Sequence, residues 1–324
     1  MPPSQTSESP TFPWWYYSVE TAPETIQWGV FPQTMVLLPR LNLSKIDLRG
    51  MKVADVCTME GLMPILMKKG GASEVVATDS MRPSRLLGSS SDSIEQNVAK
   101  MEYMKSLHNV QFHYAVVPEK TPVADHLLGS GAGYFDLVNL SGLLYHVFSP
   151  MHWIGSIRPL LREGGLAIIT TNVIFSKEMV MGFNNAGVYQ PNPTTYWYVS
   201  VPLMDYMLRY FRLRPLRCEY YVAADGTGYM SIVARAEKEV IADTGDDWMA
   251  ISATTSWDSI WYSGVDQQTA EQSTIRFKDG LLTDPRSNRS DRLDVPGFVD
   301  AGVNALPMLE HEKFTAVLRL NDTE

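Results

Sequence analysis

The stretch Val53–Gly61, VADVCTMEG, sits between LRGMK (48–52) and LMPILMKKGG (62–71), and its reading decides the fold. It has the form of a buried strand that runs into a tight turn and then a helix. Nucleotide-type cofactors are held at such junctions, where a helix N-terminus offers N–H groups and glycines let a ligand approach the backbone. Several glycines are usual there, and here only Gly61 is left. The junction is therefore a damaged cofactor loop, a variant one, or an ordinary strand end.

From Met51 onward the pattern is regular. KVADVC predicts a strand, LMPILMKKG a short helix closed by glycine, and SEVVATD a second strand. A helix is expected over 91–107, a third strand over NVQFHYAVV, and a fourth over YFDLVNLS. PMHWIGSIRPLLRE predicts a helix and GGLAIITTNV a fifth strand. Strands separated by helices of this length form a parallel sheet with helices on both faces. LRCEYYVAA and YMSIVARAE flank DGTG, which predicts a closing antiparallel hairpin.

The expected fold is thus α/β, a doubly wound, mostly parallel, seven-stranded Rossmann-like sheet with a C-terminal β-containing appendage. Four segments follow: a disordered tail rich in Pro, Ser and Thr over 1–12, an aromatic cap over 13–48, the α/β domain over 49–238, and the appendage over 239–324. Trp248, Trp257, Trp261 and Tyr262 are too many large apolar side chains for a solvated tail. The appendage is expected to fold back over the substrate end or over a second subunit in a homodimer, with DPRSNRSD as an exposed loop.

Composition narrows the function. The chain of 324 residues is 45% hydrophobic and 19% charged, as soluble globular proteins are. A net charge of -9 argues against an electrostatic grip on nucleic acid or anionic lipid. The two cysteines, Cys57 and Cys218, suggest neither a disulfide framework nor a zinc site, and no metal is expected. No signal-peptide pattern opens the chain, and no apolar run reaches the ~20 residues that span a bilayer. A cytoplasmic enzyme or binding protein is the expectation.

In open α/β sheets, ligands bind beyond the carboxyl ends of the strands. Strand one ends in Asp55 and the turn CTMEG, strand two in Asp79, strand three is followed by VVPEKTP with Glu119, and strand four ends in NLSGLLYH. A carboxylate at Asp79 can accept from both hydroxyls of a ribose. Three acids at successive strand ends suit a ligand with a ribose, an exocyclic amine and a cation. They suit pyrophosphate badly, because like charges repel.

Over residues 13–235 the chain resembles the class I S-adenosylmethionine-dependent methyltransferases. LRGMKVADVCTMEGLMPILMKKGGASEVVATDS is similar to their first two motifs, and YFDLVNLSGLLYHVFSPMHWIGSIRPLLREGGLAIITT to their strand-four to strand-five segment. GLLYHVFSP, WYYSVE and VYQPNPTTYWYVSVPLMDYML resemble a branch that includes the bacterial carboxymethyltransferase of tRNA wobble uridine. In that branch a T-x-[DE]-G turn, here Thr58–Gly61, replaces the fuller glycine loop, so the resemblance makes the junction a variant loop. Cys57 stands where glycine is usual, so its φ is negative or the backbone is slightly strained.

The resemblance implies S-adenosyl-L-methionine as cofactor and assigns roles by position. Asp55, Cys57, Thr58, Glu60 and Gly61 face the methionine part, with Asp55 toward its ammonium. Asp79 and Ser80 meet the ribose, Glu119 or its neighbours the adenine, and Asn139, Leu140 and Ser141 line the methyl-donor pocket. Trp14, Trp15, Tyr16, Tyr17 and Trp28 form either a hydrophobic flap or a lid over substrate. Tyr196 and Trp197, in a helix after PNPTT, with Asn192 before it, complete an aromatic box for a cation.

Plainer readings stand beside these. Asp55 and Asp79 taken singly could be helix-capping acids; their ordered placement favours a ligand. Tyr145 and His146 are candidate catalytic residues, His146 as a general base, or they pack behind strand four. His152 reads as surface or packing, Cys57 as a small buried residue, and GSGAGY at 129–134 as a plain loop. The expected function is methyl transfer to an N, S or O atom of a small-molecule metabolite. The alternatives are a tRNA-modifying (carboxy)methyltransferase, which the acidic balance opposes, and a non-catalytic cofactor-binding protein.

Overall fold

The computed structural model describes residues 12, 15–23, 25–29, 33–80, 94–117, 127, 132–147, 149–174, 176, 179–184, 195–222 and 227–238, and the backbone of 276–278, 281–283 and 303–306. The strands are β1 (Val19–Ala22), β2 (Thr25–Gln27), β3 (Lys52–Val56), β4 (Glu74–Ser80), β5 (His113–Val117), β6 (Phe135–Ser141), β7 (Leu161–Ile174), β8 (Met181–Phe183), β9 (Trp197–Ser200), β10 (Leu213–Val222), β11 (Thr227–Ala236), β12 (Arg276–Lys278), β13 (Leu281–Thr283) and β14 (Val303–Leu306). The helices are α1 (Gln33–Leu43), α2 (Leu62–Lys69), α3 (Ile94–Leu107), α4 (Pro150–Ile157) and α5 (Val201–Tyr210).

Ten strands form one mixed sheet in the order β14-β10-β11-β7-β6-β3-β4-β5, with β9 on the end of β7 and β8 on β9. β3 pairs in parallel with β4 on one side and β6 on the other, so the reversal of strand order falls at β3, the strand of the opening motif. The expected closing hairpin is present: β10 and β11 pair antiparallel from Leu213↔Ala236 to Val222↔Gly228. The sheet is wider than the seven strands expected. β7 runs on to Ile174, past the end of β6, and its free upper end receives β9 in parallel. β14 lies along the outer edge of β10, from Cys218↔Val303 to Tyr221↔Leu306.

Two expectations at element boundaries are corrected. The helix from Pro150 ends at Ile157, because Pro159 in the following 3-10 turn cannot donate to a continuing helix, and β7 begins already at Leu161. Tyr196 and Trp197 do not lie in a helix: Trp197 opens β9, and the helix starts only at Val201, where the Ser200 hydroxyl caps it by accepting from Leu203 N–H. The aromatic and β-branched run YWYV fits a pleated strand better than a helix.

Side-chain alternation along each strand divides the core. Ala54, Val56, Val138 and Leu140 face α4 and α5, with Met204, Met207 and Leu208. Val53, Leu137 and Ile168 face the other way, against Val36 and Leu43 of α1, Ile65 and Leu66 of α2, and Met101 and Met104 of α3. α1 falls within the segment expected to be an aromatic cap, yet it packs on β7, β10 and β11. Residues 1–11 and the four aromatic residues of the appendage lie outside the described residues, as does the expected loop at 284–291. Among the described residues no helix is long and apolar enough to cross a membrane.

Candidate functional site

At the end of β3 the chain turns through three left-handed residues in alternation: Cys57 (φ 63°), Met59 (φ 55°) and Gly61 (φ 84°). Thr58 N–H donates to Thr78 O (2.9 Å) and Gly61 N–H to Thr58 O (3.1 Å), so the turn is closed on itself and sewn to β4. Of the two conformations open to Cys57, the structure adopts the strained one, which glycine takes without penalty. Gly61 then starts α2. A Cβ there would lie 3.1 Å from Met101 Cγ, so α3 approaches as close as the missing side chain allows.

Asp55 and Asp79 are both drawn to this turn. Asp79 accepts a hydrogen bond from Met59 N–H (3.1 Å). Asp55 is buried and its Oδ1 accepts from Asn139 Nδ2 at 2.6 Å, while its Oδ2, also buried, has no hydrogen-bond donor among the described residues. Burial raises the Asp55 carboxyl to about 6, against the opposing pull of Asn139 and of the Thr58 hydroxyl, which makes no hydrogen bond of good geometry. Such an acid, largely ionised at neutral pH and with one oxygen unused, is an acceptor for a cation.

Asn139 and Ser141 belong to a polar row on the α1 face of the sheet. Ser141 Oγ donates to Asn139 Oδ1 (2.7 Å) and lies 2.9 Å from Thr170 Oγ1. Thr170 Oγ1 donates to Ser231 Oγ (2.9 Å), which also accepts from Asn42 Nδ2 (2.9 Å). The row thus runs from Asp55 across β6, β7 and β11 to α1. Leu140, one residue from Asn139, points to the opposite face and is fully buried in the other core.

The N-terminal segment crosses the turn. Glu60, expected among the cofactor contacts, is buried and turned toward that segment. Its carboxylate accepts from Tyr16 N–H (2.8 and 2.9 Å to its two oxygens), Tyr17 N–H (3.1 Å) and Lys100 Nζ (2.7 Å). Burial raises the Glu60 carboxyl and Lys100 opposes that rise. Burial likewise pushes the Tyr17 hydroxyl well above its ordinary value, and the nearby Asp55, Glu60 and Asp79 carboxylates add to the shift. For Tyr16 burial acts first and the Tyr145 hydroxyl next. Tyr17 therefore lies near the strand-end acids, and Tyr16 lies toward Tyr145. Trp15 packs edge-on to Phe12 (5.2 Å between ring centroids) beneath them, while Trp28 stands apart, 56% exposed.

Tyr145 is buried just past β6, with its hydroxyl 3.3 Å from that of Tyr229 and its ring 4.2 Å from the His146 ring. Both tyrosyl hydroxyls converge over Gly142, where a Cβ would lie 3.5 Å from the first and 3.7 Å from the second. Tyr196 N–H donates to Tyr145 O (2.7 Å), and Trp197 packs on Phe183 with its buried indole N–H making no hydrogen bond among the described residues. Trp14, Glu119 and Asn192 lie outside the described residues, as does the side chain of Ser80.

Sequence reading missed three contributors. Lys100 is fully buried; its signal was the row Lys100, Met104 and His108 at i, i+4 and i+8, one face of a helix. Tyr114 on β5 has a buried hydroxyl with no hydrogen-bond partner among the described residues, raised by burial and by nearby Asp79. Tyr229 carried no local signal, because only the pairing of β11 with β7 brings it to the site. Among the described residues no three His, Cys, Asp or Glu side chains gather as a metal site would require.

A family model described as a methyltransferase domain matches residues 34–214. No curated protein matches the chain. Similar solved structures include a 1,6-didemethyltoxoflavin-N1-methyltransferase from Burkholderia thailandensis with bound 1,6-didemethyltoxoflavin and S-adenosylhomocysteine (17% identity, covering 64% of this chain and 78% of that one, TM-score 0.43). An S-adenosylmethionine-dependent methyltransferase from Mesorhizobium loti is 14% identical over 61% of this chain and 96% of its own, with a TM-score of 0.42. The N-terminal domain of EvdMO1, in the presence of S-adenosylhomocysteine and D-fucose, is 15% identical over 69% and 92%, with a TM-score of 0.48.

Proposed function

Because the chain belongs to the methyltransferase-domain family, we propose that it methylates an N, S or O atom of a small molecule in the space between its strand-end acids and the Tyr16–Tyr17 segment. The protein is an S-adenosylmethionine-dependent methyltransferase, and S-adenosylmethionine is its cofactor. The residues present fit that cofactor. The buried, unpartnered Oδ2 of Asp55 is an acceptor for an ammonium, and the unpartnered hydroxyl of Tyr114 lies in the neighbourhood of Asp79, where a ribose and base need polar partners. Asp55 would hold the amino-acid end and Asp79 the ribose; Cys57, Thr58 and Gly61 would bring the turn's backbone against it. When bound, the cofactor supplies an electrophilic methyl group carried on a sulfonium.

The chain's own contribution is orientation and exclusion of water, which carry much of the rate in a simple displacement. Tyr16, Tyr17 and Tyr145 offer aromatic walls, and such faces favour a cationic centre by about 0.5–2 kcal/mol each. The observation that carries the small-molecule reading is this enclosure: the strand-end acids lie near Tyr17, whose segment Glu60 holds by the backbone of Tyr16 and Tyr17, rather than along an open basic groove. An amine or thioether acceptor is preferred to a hydroxyl. It needs no strong base, and the Tyr145 hydroxyl is turned inward toward Tyr229.

The test is incubation with isotopically labelled methyl donor and a metabolite pool, followed by mass analysis. Label in a low-mass product supports the reading. Label confined to the tRNA of a mixed pool, or no transfer to any acceptor, removes it.

A further inference from the structure

We propose that Glu60 and Lys100 are positioning residues that latch the N-terminal segment across the cofactor site, so that cofactor is released only when this latch yields. The proposal rests on the cofactor reading given above. Glu60 lies in the cofactor turn itself, one residue before Gly61, and Lys100 on α3. Among the described residues, the hydrogen bonds to the Glu60 carboxylate come from Lys100 and from the backbone of Tyr16 and Tyr17. The pair is 0% and 2% exposed, and a charge buried this deeply is tolerated only when fully bonded. A segment lying on apolar contacts alone would need no ion pair beneath its backbone.

The segment is also gripped from its other side. Trp15 and Gly29 form a β-bridge, and Gly29 N–H donates to Ser18 Oγ (3.0 Å). A Cβ on Gly29 would lie 2.3 Å from the Tyr17 carbonyl carbon and 2.5 Å from the Tyr16 carbonyl oxygen, so this close approach requires glycine. Held between Glu60 and Gly29, the segment sends Tyr17 toward Asp55 and Asp79 and Tyr16 toward Tyr145. The cofactor turn and the segment that roofs it are therefore one mechanical unit.

The experiment uses the full chain with S-adenosylhomocysteine as probe. The double variant Glu60→Gln/Lys100→Met removes both charges and leaves no lone buried ion. Amide hydrogen exchange at Tyr16 and Tyr17 is expected to quicken by about tenfold or more, with the global unfolding midpoint retained. Stopped-flow release of S-adenosylhomocysteine is expected to quicken by at least about fivefold. Gly29→Ala, which leaves the ion pair intact, should produce both changes and decides the matter if the double variant does not fold. Unchanged exchange in the folded variants overturns the latch. Faster exchange with unchanged release overturns its control of the cofactor. A wild-type protein that binds no S-adenosylhomocysteine overturns the cofactor-site reading and the release claim with it, while the exchange arm still judges the latch.

Discussion

Asn139 donates to Asp55 across adjacent strand ends at 2.6 Å, and even so burial holds the Asp55 carboxyl up at about 6. Asn139 and Thr58 do not offset the loss of water around a carboxylate whose second oxygen has no hydrogen-bond donor of good geometry among the described residues. A cationic ligand would complete the site.

The first prediction is a pH dependence. The folded-state value lies above the ordinary 3.8, so the cofactor-free protein binds this proton more tightly than the unfolded chain does. Its stability from this group therefore falls as pH rises from about 4 to about 6, by on the order of 3 kcal/mol, and is flat above. Ligand affinity runs the opposite way, because the ammonium needs the ionised form. Calorimetric titration with S-adenosylhomocysteine should show affinity about tenfold weaker at pH 5 than at pH 7. Asp55→Asn should bind weakly at both pH values with no such slope.

The second concerns Asp79. Asp79→Ala removes the acceptor for Met59 N–H and the charged partner proposed for the ribose. S-adenosylmethionine binding should weaken by about 1.5–3 kcal/mol. Calorimetry showing unchanged affinity would remove Asp79 from the site.

At Cys57, glycine would relieve a left-handed backbone while adding freedom to the unfolded chain. The two effects are of similar size, about 1 kcal/mol each. Cys57→Gly should therefore leave both the melting temperature and cofactor affinity nearly unchanged, the latter within about tenfold. Abolished binding would mean that the thiol itself touches the ligand.

Ser231→Ala breaks the polar row in its middle, leaving Thr170 Oγ1 without its acceptor and Asn42 Nδ2 with only the Ser231 carbonyl at 3.0 Å. Chemical denaturation should report a loss of about 1–3 kcal/mol. A neutral result would show that water replaces the missing hydroxyl.

Truncation after residue 238 removes β14 and bares the outer edge of β10. An uncovered strand edge pairs with other molecules, so light scattering should show aggregation. A monomeric, fully active truncation would make the C-terminal segment dispensable.

Much of this was legible in the sequence, and for physical reasons. Asp55 and Asp79 stand out as candidates because strand ends are marked by local pattern, and the sheet topology puts consecutive strand ends together. Cys57 stands where the resemblance expects glycine, and that position alone leaves open a negative φ or a strained backbone; the structure takes the second. Lys100 was hidden because a charged residue in a helix reads as solvent-facing; only its pairing with Glu60, forty positions away, makes its burial tolerable. β9 was misread as helix because its aromatic run abuts the true helix, and Ser200 marks the border between them. The far half of the polar row, Thr170, Ser231 and Asn42, left no trace. It needs Asn42 to meet Ser231 across 189 positions, and nothing in a linear pattern encodes that register.

The central placement of β3 bears on when activity becomes possible during folding. β3 and β6 are direct neighbours, yet Asp55 and Asn139 stand 84 positions apart, and the outer hairpin must dock before Ser231 and Tyr229 are in place. Contacts of such long sequence separation require a large loop to be closed before they return any stabilisation, which slows their formation. The helices can form early from local interactions, but the proposed ligand pocket is assembled from pairings far apart in sequence. Binding of S-adenosylhomocysteine during refolding would therefore lag behind the recovery of helical signal, and a nascent chain would stay catalytically silent until its last strands had left the ribosome.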